Sequence, residues 1–158
     1  MKRLFFLSAL MFLTQSGFCQ SNSLSDPEPY FSAIIVKDLN TSLDWYSEVL
    51  GYEILNNKNF PEMNFKQANL KRGDSAIELI ELGSAISPAE AISDFNSKSK
   101  LIGLFKIGFR VENFDKWIQH LEQSKVNFHG RVVIDELSGK RMVIFKDPDD
   151  NRIQLFEK

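Results

Sequence analysis

Hydrophobic and polar positions follow the same series twice along the chain. Residues 33–39 (AIIVKDL) and 108–114 (GFRVENF) each form an apolar strand that ends in Val, then a charged residue, an Asp or Asn, and an apolar residue. Apolar residues near helical spacing follow in both places. The halves also end alike, because residues 77–82 (IELIEL) match residues 153–158 (IQLFEK). The repeat predicts two modules, each with a strand, a helix and about three further strands.

The two predicted helices carry start and stop signals. Asp38 and Asn113, which are residue types that favour helix N-caps, precede them. Gly51 follows the first helix, where a glycine accepts the positive φ that ends a helix. With these signals in place, the opening strands are expected to begin near Tyr30 and Leu104.

The chain length and the positions of the predicted loops indicate one folded domain. The chain has 158 residues, a one-domain length. We expect residues 30–158 to form a single α+β domain, with modules at about 30–83 and 103–158. The linker at 84–102 is expected to hold a short helix and a loop. The polar, proline-broken residues 21–29 are typical of a flexible lead-in.

The first twenty residues lie outside this pattern. A Lys-Arg pair at residues 2–3 precedes an apolar run at 4–13, and a polar stretch with small residues at Gly17 and Cys19 follows. This order is typical of a secretory signal peptide. It predicts a periplasmic or secreted protein with no membrane insertion after cleavage. An N-terminal anchoring helix is the alternative, as is lipid attachment at Cys19, although Phe18 stands where lipoprotein signals have a small residue.

Composition narrows the function further. Hydrophobic residues make up 43% and charged residues 25%, as in an ordinary globular protein. The net charge is −2, without a block of Lys and Arg, so no nucleic-acid partner is expected. Cys19 is the only cysteine, which leaves the folded part without disulfide or thiolate chemistry.

Two motifs stand at opposite ends of the duplicated pattern. Residues 34–54 (IIVKDLNTSLDWYSEVLGYEI) cover the first strand and helix, and residues 145–157 (FKDPDDNRIQLFE) cover the closing hairpin. Together they resemble the vicinal oxygen chelate (glyoxalase/bleomycin resistance/dioxygenase) superfamily, whose hairpin is usually written D-P-D-G-N-x-I-E-L. The resemblance implies two βαβββ modules that form a curled mixed sheet around a shared cleft. It also favours a homodimer that completes or flanks this cleft.

The family typically holds a divalent metal ion with His, Glu, His and Glu side chains that line the cleft. Carried over by position, these four places fall at Phe31, Glu78, Lys106 and Gln154. A phenyl ring cannot ligate a metal, and an ammonium group repels one. The resemblance therefore implies a metal-ligand-deficient member, and we expect no metal and no other cofactor.

Strand periodicity predicts what lines the cleft instead. Lys106, Gly108 and Arg110 share one strand face, opposite an apolar face that must pack on the helices. The expected ligand-binding residues are Phe31, Glu78, Lys106, Arg110, Gln154 and Phe156. Three interpretations remain open for the charges: a structural Glu78–Lys106 ion pair, a site for an anionic or carbonyl group, and lysine-based catalysis.

The leading functional prediction is metal-independent binding of a small molecule. The alternatives are a lyase, isomerase or dioxygenase of the glyoxalase type, with an atypical metal set or a lysine, and a structural module of the cell envelope. No catalytic residue is assigned. His120 and His129 lack metal-ligand spacing and are expected to be surface or packing residues, and the acidic run around Asp147 is expected to shape a turn.

Overall fold

The computed structural model describes residues 27–96 and 102–158. The predicted signal peptide, including Cys19, lies outside the described residues, as do parts of the predicted lead-in and linker. No helix of the described ranges is both long enough and apolar enough to cross a membrane.

The first half of the chain forms a four-stranded mixed sheet. Its elements are β1 (Ser32–Ile35), α1 (Leu39–Glu48), β2 (Glu53–Phe60), a 3₁₀ turn (Pro61–Met63), β3 (Phe65–Arg72) and β4 (Ser75–Leu82). The strand order is β1-β4-β3-β2, with β1 parallel to β4 and the other pairs antiparallel. The crossover through α1 allows the parallel pair, because parallel strands need a long connection.

A short helix α2 (Pro88–Ala91) follows, and the second half repeats the arrangement. Its elements are β5 (Ile107–Val111), α3 (Phe114–Gln123), β6 (Asn127–Phe128), β7 (Val133–Ile134), β8 (Arg141–Lys146) and β9 (Arg152–Glu157). The order is β5-β9-β8-β6, with β7 also paired to β8 and β5 parallel to β9. The predicted α+β fold of two βαβββ modules is confirmed, with the strands divided between two hydrogen-bonded sheets.

The residues predicted to begin and end the helices differ in the contacts that they make. Asp38 caps α1, since its side chain accepts a bond of 2.7 Å from the Thr41 N–H. Gly51 has φ +65°, as a terminating glycine should. Asn113 occupies the N-cap position of α3, as predicted, but its side chain makes no cap hydrogen bond. Asn113 adopts a left-handed conformation (φ 54°, ψ 51°) instead of the extended one that aims an N-cap side chain at the first turn.

The opening strands begin slightly later than predicted. β1 begins at Ser32 and not at Tyr30, and β5 begins at Ile107 and not at Leu104. Each start coincides with the first residue that has a partner on the parallel neighbour, Ile77 for Ser32 and Ile153 for Ile107. The residues just before these positions, such as Phe31 and Phe105, have no pairing partner on the neighbouring strand.

One hydrophobic core spans both modules. Tyr46 is fully buried, and Trp45 beside it packs against Phe145 of the other module, with ring centroids 6.2 Å apart. Polar contacts also cross the boundary: the Tyr46 hydroxyl donates to Asp147 over 3.0 Å, and His120 Nε2 lies 2.9 Å from the Val49 carbonyl. The helix side of the sheets therefore holds the modules together.

Candidate functional site

The face of each sheet that points away from the helices is open. In β1 and just before it, Phe31, Ala33 and Ile35 are exposed, whereas Ile34 and Val36 belong to the core. The alternation follows from the two-residue period of a strand. The alternation of exposed and buried residues predicted for the first strand is present.

The second module shows the same alternation in β5. Ile107, Phe109 and Val111 pack against the core, whereas Gly108 and Arg110 are exposed. The parallel register sets Gly108 beside Gln154 and Arg110 beside Phe156 on the neighbouring strand. These four residues therefore share one face of the sheet.

Gly108 leaves open space on this face. A side-chain carbon built on Gly108 would meet no atom within 4 Å beyond its chain neighbours. A cavity of about 520 Å³ lies here, and its walls include Gly108, Arg110, Phe156 and Asp135. The structure thus brings two of the predicted ligand-binding residues, Arg110 and Phe156, together at one cavity.

The four positions that the family resemblance assigns to metal ligands carry side chains that have other contacts, or none within the described residues. Glu78 accepts a hydrogen bond from the Gln67 amide, so part of its acceptor capacity is occupied. Gln154 is buried, with 2% of its surface exposed, and its amide nitrogen lies 3.0 Å from the Met142 sulfur. Phe31 is 54% exposed and offers only a ring. Throughout the described ranges, no group of three or more His, Cys, Asp or Glu residues is placed to hold a metal ion.

The expected ion pair between Glu78 and Lys106 is not present. None of the ion pairs within the described residues joins these two side chains. Lys106 precedes β5 and is exposed to water, where burial imposes no cost that would require a partner. Its positive charge instead contributes to a lowered pKa of Asp135, which is held down mainly by hydrogen bonds from Ser138.

Lys106 lines a different cavity. That cavity, of about 430 Å³, lies between β1 and the segment that leads into β5, with Ala33, Ile35, Lys106 and Arg152 among its walls. Glu78, Gln154 and Phe31 line neither of these two cavities. The six predicted residues therefore lie on the predicted faces but not around one point.

Sequence analysis missed a row of amide side chains on the first module. The antiparallel registers align Asn56, Asn69 and Glu78 across β2, β3 and β4, and Gln67 lies beside Ile80 on the same face. Asn69 donates to Asn56 over 3.0 Å. The alternation of Gln67 and Asn69 with the buried Ala68 and Leu70 was the available signal.

Arg110 is one of three cations at the 520 Å³ cavity, and the other two have partners. Lys158 pairs with Glu112 at 2.9 Å, and Lys140 donates to the Lys158 carbonyl at 3.3 Å. Of the two carboxylates there, Glu157 is paired with Arg141 at 2.8 Å, and this contact lowers the pKa of Glu157. Asp135 accepts bonds from the Ser138 hydroxyl at 2.7 Å and from its backbone N–H at 2.9 Å. Within the described part of the chain, Arg110 makes no ion pair or side-chain hydrogen bond. A guanidinium group left in this state can bind a carboxylate or a carbonyl oxygen.

Asp147 and His120 have structural contacts. Asp147 is buried and organises the β8–β9 turn, because it accepts bonds from the backbone N–H groups of Asp149 and Asn151. Burial is the main cause of its raised pKa. His120 contacts the end of α1, as a packing residue would.

The comparisons with known proteins agree with this architecture. The sequence profile of the Glyoxalase/Bleomycin resistance protein/Dioxygenase superfamily matches residues 30–155. The uncharacterized protein YwkD of Bacillus subtilis is 29% identical over 126 residues, which cover 80% of this chain and 93% of YwkD. The uncharacterized protein YaeR of Escherichia coli is 29% identical over 129 residues, covering 80% and 92%. A glyoxalase family protein from Enterococcus faecalis has a similar crystal structure, with a TM-score of 0.71, 26% identity, and coverage of 82% of this chain and 97% of that one.

Proposed function

We propose that this chain, which belongs to the Glyoxalase/Bleomycin resistance protein/Dioxygenase superfamily, is an exported protein that binds a small molecule in its cleft without a metal ion. The main support for this proposal is the set of side chains at the four positions where the family has metal ligands. The four family positions offer a phenyl ring, one carboxylate, one ammonium group and one amide. A divalent cation that leaves water needs several anionic or imidazole donors, which this set does not provide.

The cleft offers other means of binding. Arg110 presents an unpaired guanidinium group, Phe156 beside it presents a ring, and the bare surface at Gly108 leaves room for a ligand. Apolar walls with a few placed polar groups are typical of small-molecule sites. We infer that the ligand carries an anionic or carbonyl group that Arg110 holds.

A binding test of this cleft can use phenylpyruvate, which carries a carboxylate, a carbonyl and a ring. We expect saturable NMR shift changes at Gly108 and Arg110, an Arg110→Gln variant that binds about tenfold more weakly, and a Gly108→Leu variant that does not bind. An Arg131→Gln variant, which changes an exposed arginine outside the cavity, serves as the matched control. If Arg110→Gln bound phenylpyruvate as well as Arg131→Gln did, Arg110 would not be the receptor.

A metal titration separates binding from glyoxalase-type catalysis. The parent protein is expected to bind added Zn²⁺, Ni²⁺ or Mn²⁺ no more tightly than a Glu78→Ala variant in calorimetry. The combined change Phe31→His, Lys106→His and Gln154→Glu is expected to create metal affinity. Tight, Glu78-dependent metal binding by the parent would instead support a lyase, isomerase or dioxygenase with an atypical metal set.

Export is proposed on the N-terminal sequence. Mass spectrometry of the protein from its native host is expected to show a mature N-terminus between about Cys19 and Asn22. Intact Met1 on cytoplasmic protein would contradict export, and a lipid mass on Cys19 would favour anchoring.

We also propose a homodimer that covers part of the cleft face. Phe31 (54%), Ile35 (55%) and Phe105 (51%) are large apolar side chains exposed at or near this face. Exposed apolar patches of this kind mark interaction surfaces. Sedimentation analysis should give a dimer mass for the parent and a monomer mass for Ile35→Glu; a monomeric parent would refute the proposal.

A further inference from the structure

A third cavity lies mainly on the helix side of the sheets, where the two modules meet. Its volume is about 610 Å³, and we call it the junction groove. Its lining residues come from the end of α1, the β3–β4 turn, β5, α3 and β9. They are Leu50, Tyr52, Arg72, Gly73, Asp74, Ser75, Phe109, Arg110, Val111, Glu112, Asn113, Trp117 and Leu155.

Arg72 is held in a defined position at this groove. Its guanidinium group donates through Nη1 to the Leu50 carbonyl oxygen and lies 4.8 Å from the centre of the Trp117 ring. Gly51 makes room for it, because a side-chain carbon at Gly51 would come within 2.9 Å of Nη1. The contacts span both modules and restrict a side chain that is otherwise flexible.

The guanidinium group of Arg72 keeps donors available. Within the described residues it forms no ion pair, and the Leu50 carbonyl is its one hydrogen-bond acceptor. Of the two carboxylates that line the groove, Glu112 is paired with Lys158 at 2.9 Å, and Asp74 is exposed in the turn after β3. An arginine has five N–H donors in a planar fork that suits a carboxylate.

Next to this cation the groove is apolar. Leu50 and Leu155 are 3% and 1% exposed, and Phe109, Val111 and Trp117 are partly buried side chains packed against the core. A positioned cation beside apolar and aromatic walls matches a ligand with an anionic head and an apolar body.

We propose that the junction groove binds an amphiphilic organic acid, whose carboxylate pairs with Arg72 and whose apolar body lies against Trp117 and Val111. This site differs from the cleft, because most of the residues that line the groove lie on the helix side of the sheets, although Arg110 lines both. The two sites share only the edge-strand residues Phe109 and Arg110 among the residues that line the 520 Å³ cavity.

The proposal can be tested with octanoate and with the uncharged alcohol 1-octanol. The chain has two tryptophans, so a Trp45→Phe background leaves Trp117 as the one indole emitter. We expect octanoate to change the Trp117 emission saturably and to bind about tenfold more tightly than 1-octanol. Arg72→Gln in this background should remove that difference, whereas Arg131→Gln, an exposed arginine outside the groove, should retain it.

Fold and site effects are distinguished by an Arg72→Lys variant and by thermal unfolding of each protein. Lysine keeps the charge but lacks the fork, so octanoate affinity is expected to lie between those of the parent and Arg72→Gln. If Arg72→Gln does not fold, the Arg72→Lys affinity decides the question. The proposal is overturned by a non-saturable emission change, by equal binding of octanoate and 1-octanol, or by undiminished octanoate affinity in the Arg72 variants.

Discussion

Replacing Tyr46 by Phe tests how the two modules are joined. The Tyr46 ring is fully buried in α1, and its hydroxyl donates to Asp147 in the β8–β9 turn over 3.0 Å. Burial is the main cause that raises the pKa of Tyr46, with the Asp147 charge adding to it, so the hydroxyl stays protonated as the donor. The substitution removes one hydrogen bond to a buried carboxylate and leaves the packing of the ring intact.

The expected cost follows from the other bonds of Asp147. Three donors remain after the change: the backbone N–H groups of Asp149 and Asn151 and the Asn151 side-chain amide at 2.9 Å. The carboxylate therefore keeps hydrogen-bond donors after the substitution. We expect the free energy of unfolding to fall by about 1–2 kcal/mol, at the low end for a hydrogen bond to a charged group. For a domain of this size the melting temperature should fall by about 3–8 °C.

The cost should also depend on pH. Burial raises the folded-state pKa of Asp147 above its unfolded value, and the bond from Tyr46 acts in the opposite direction. Tyr46→Phe therefore raises this pKa further. The stability difference between the parent and the variant is full above the folded-state pKa of Asp147 and shrinks as pH falls through it, because a protonated acid accepts a weaker bond.

Urea unfolding followed by tryptophan fluorescence measures this difference, since one of the two tryptophans, Trp45, lies 5.0 Å from the Tyr46 ring. Tyr52→Phe is the matched control: Tyr52 is also buried, but its hydroxyl contacts the neutral Ser75 at 2.6 Å within the same module. A smaller loss for Tyr46→Phe than for Tyr52→Phe, or a difference that does not change with pH, would refute the argument.

Two further changes test particular contacts. Gly51→Ala should cost about 1–2 kcal/mol in thermal or urea unfolding, because φ is +65° there and the new carbon would crowd Arg72; an unchanged midpoint would show that the backbone adapts. Glu81→Gln should flatten the acid side of the stability profile. Hydrogen bonds from Lys66 and the Leu39 N–H lower the pKa of Glu81, so its contribution is present above the unfolded value of about 4.3 and is lost as pH falls through the folded-state pKa. A parent and a Glu81→Gln variant with parallel profiles between about pH 6 and pH 3 would contradict this role.

The duplicated architecture was predictable because side-chain period reports which face of a strand is buried. The alternation around Ile34 and around Phe109 correctly separated the core face from the open face. The same two-residue period sets Glu81 on the face opposite Glu78, and in the structure Glu81 accepts a hydrogen bond from the Leu39 N–H at the start of α1. These inferences need only local sequence, since a strand exposes alternate residues whatever its neighbours are.

The side-chain partners of these residues were not predictable, because they depend on the strand register and on contacts between residues far apart in the sequence. Glu78 was expected to pair with Lys106, but the β3–β4 register brings Gln67 within reach of Glu78. The Tyr46–Asp147 bond joins residues 101 positions apart, and no local pattern marks it. Asp147 was correctly assigned to a turn, yet its second role as the acceptor for Tyr46 depends on how α1 packs.

The contacts at the former ligand positions explain why one substitution should not restore a metal site. Glu78 and Gln154 each have a polar or sulfur partner within their own sheet, Gln67 and Met142. A metal ion would have to displace the Gln67 amide from Glu78 and so lose this hydrogen bond to a carboxylate. Lys106→His alone would add one imidazole in the segment before β5, while Phe31 and Gln154 still provide no anionic or imidazole donor. Metal affinity should therefore appear only when several positions change together, and a single-site Lys106→His variant with tight Zn²⁺ binding would show that the donors are closer to a working set than their contacts indicate.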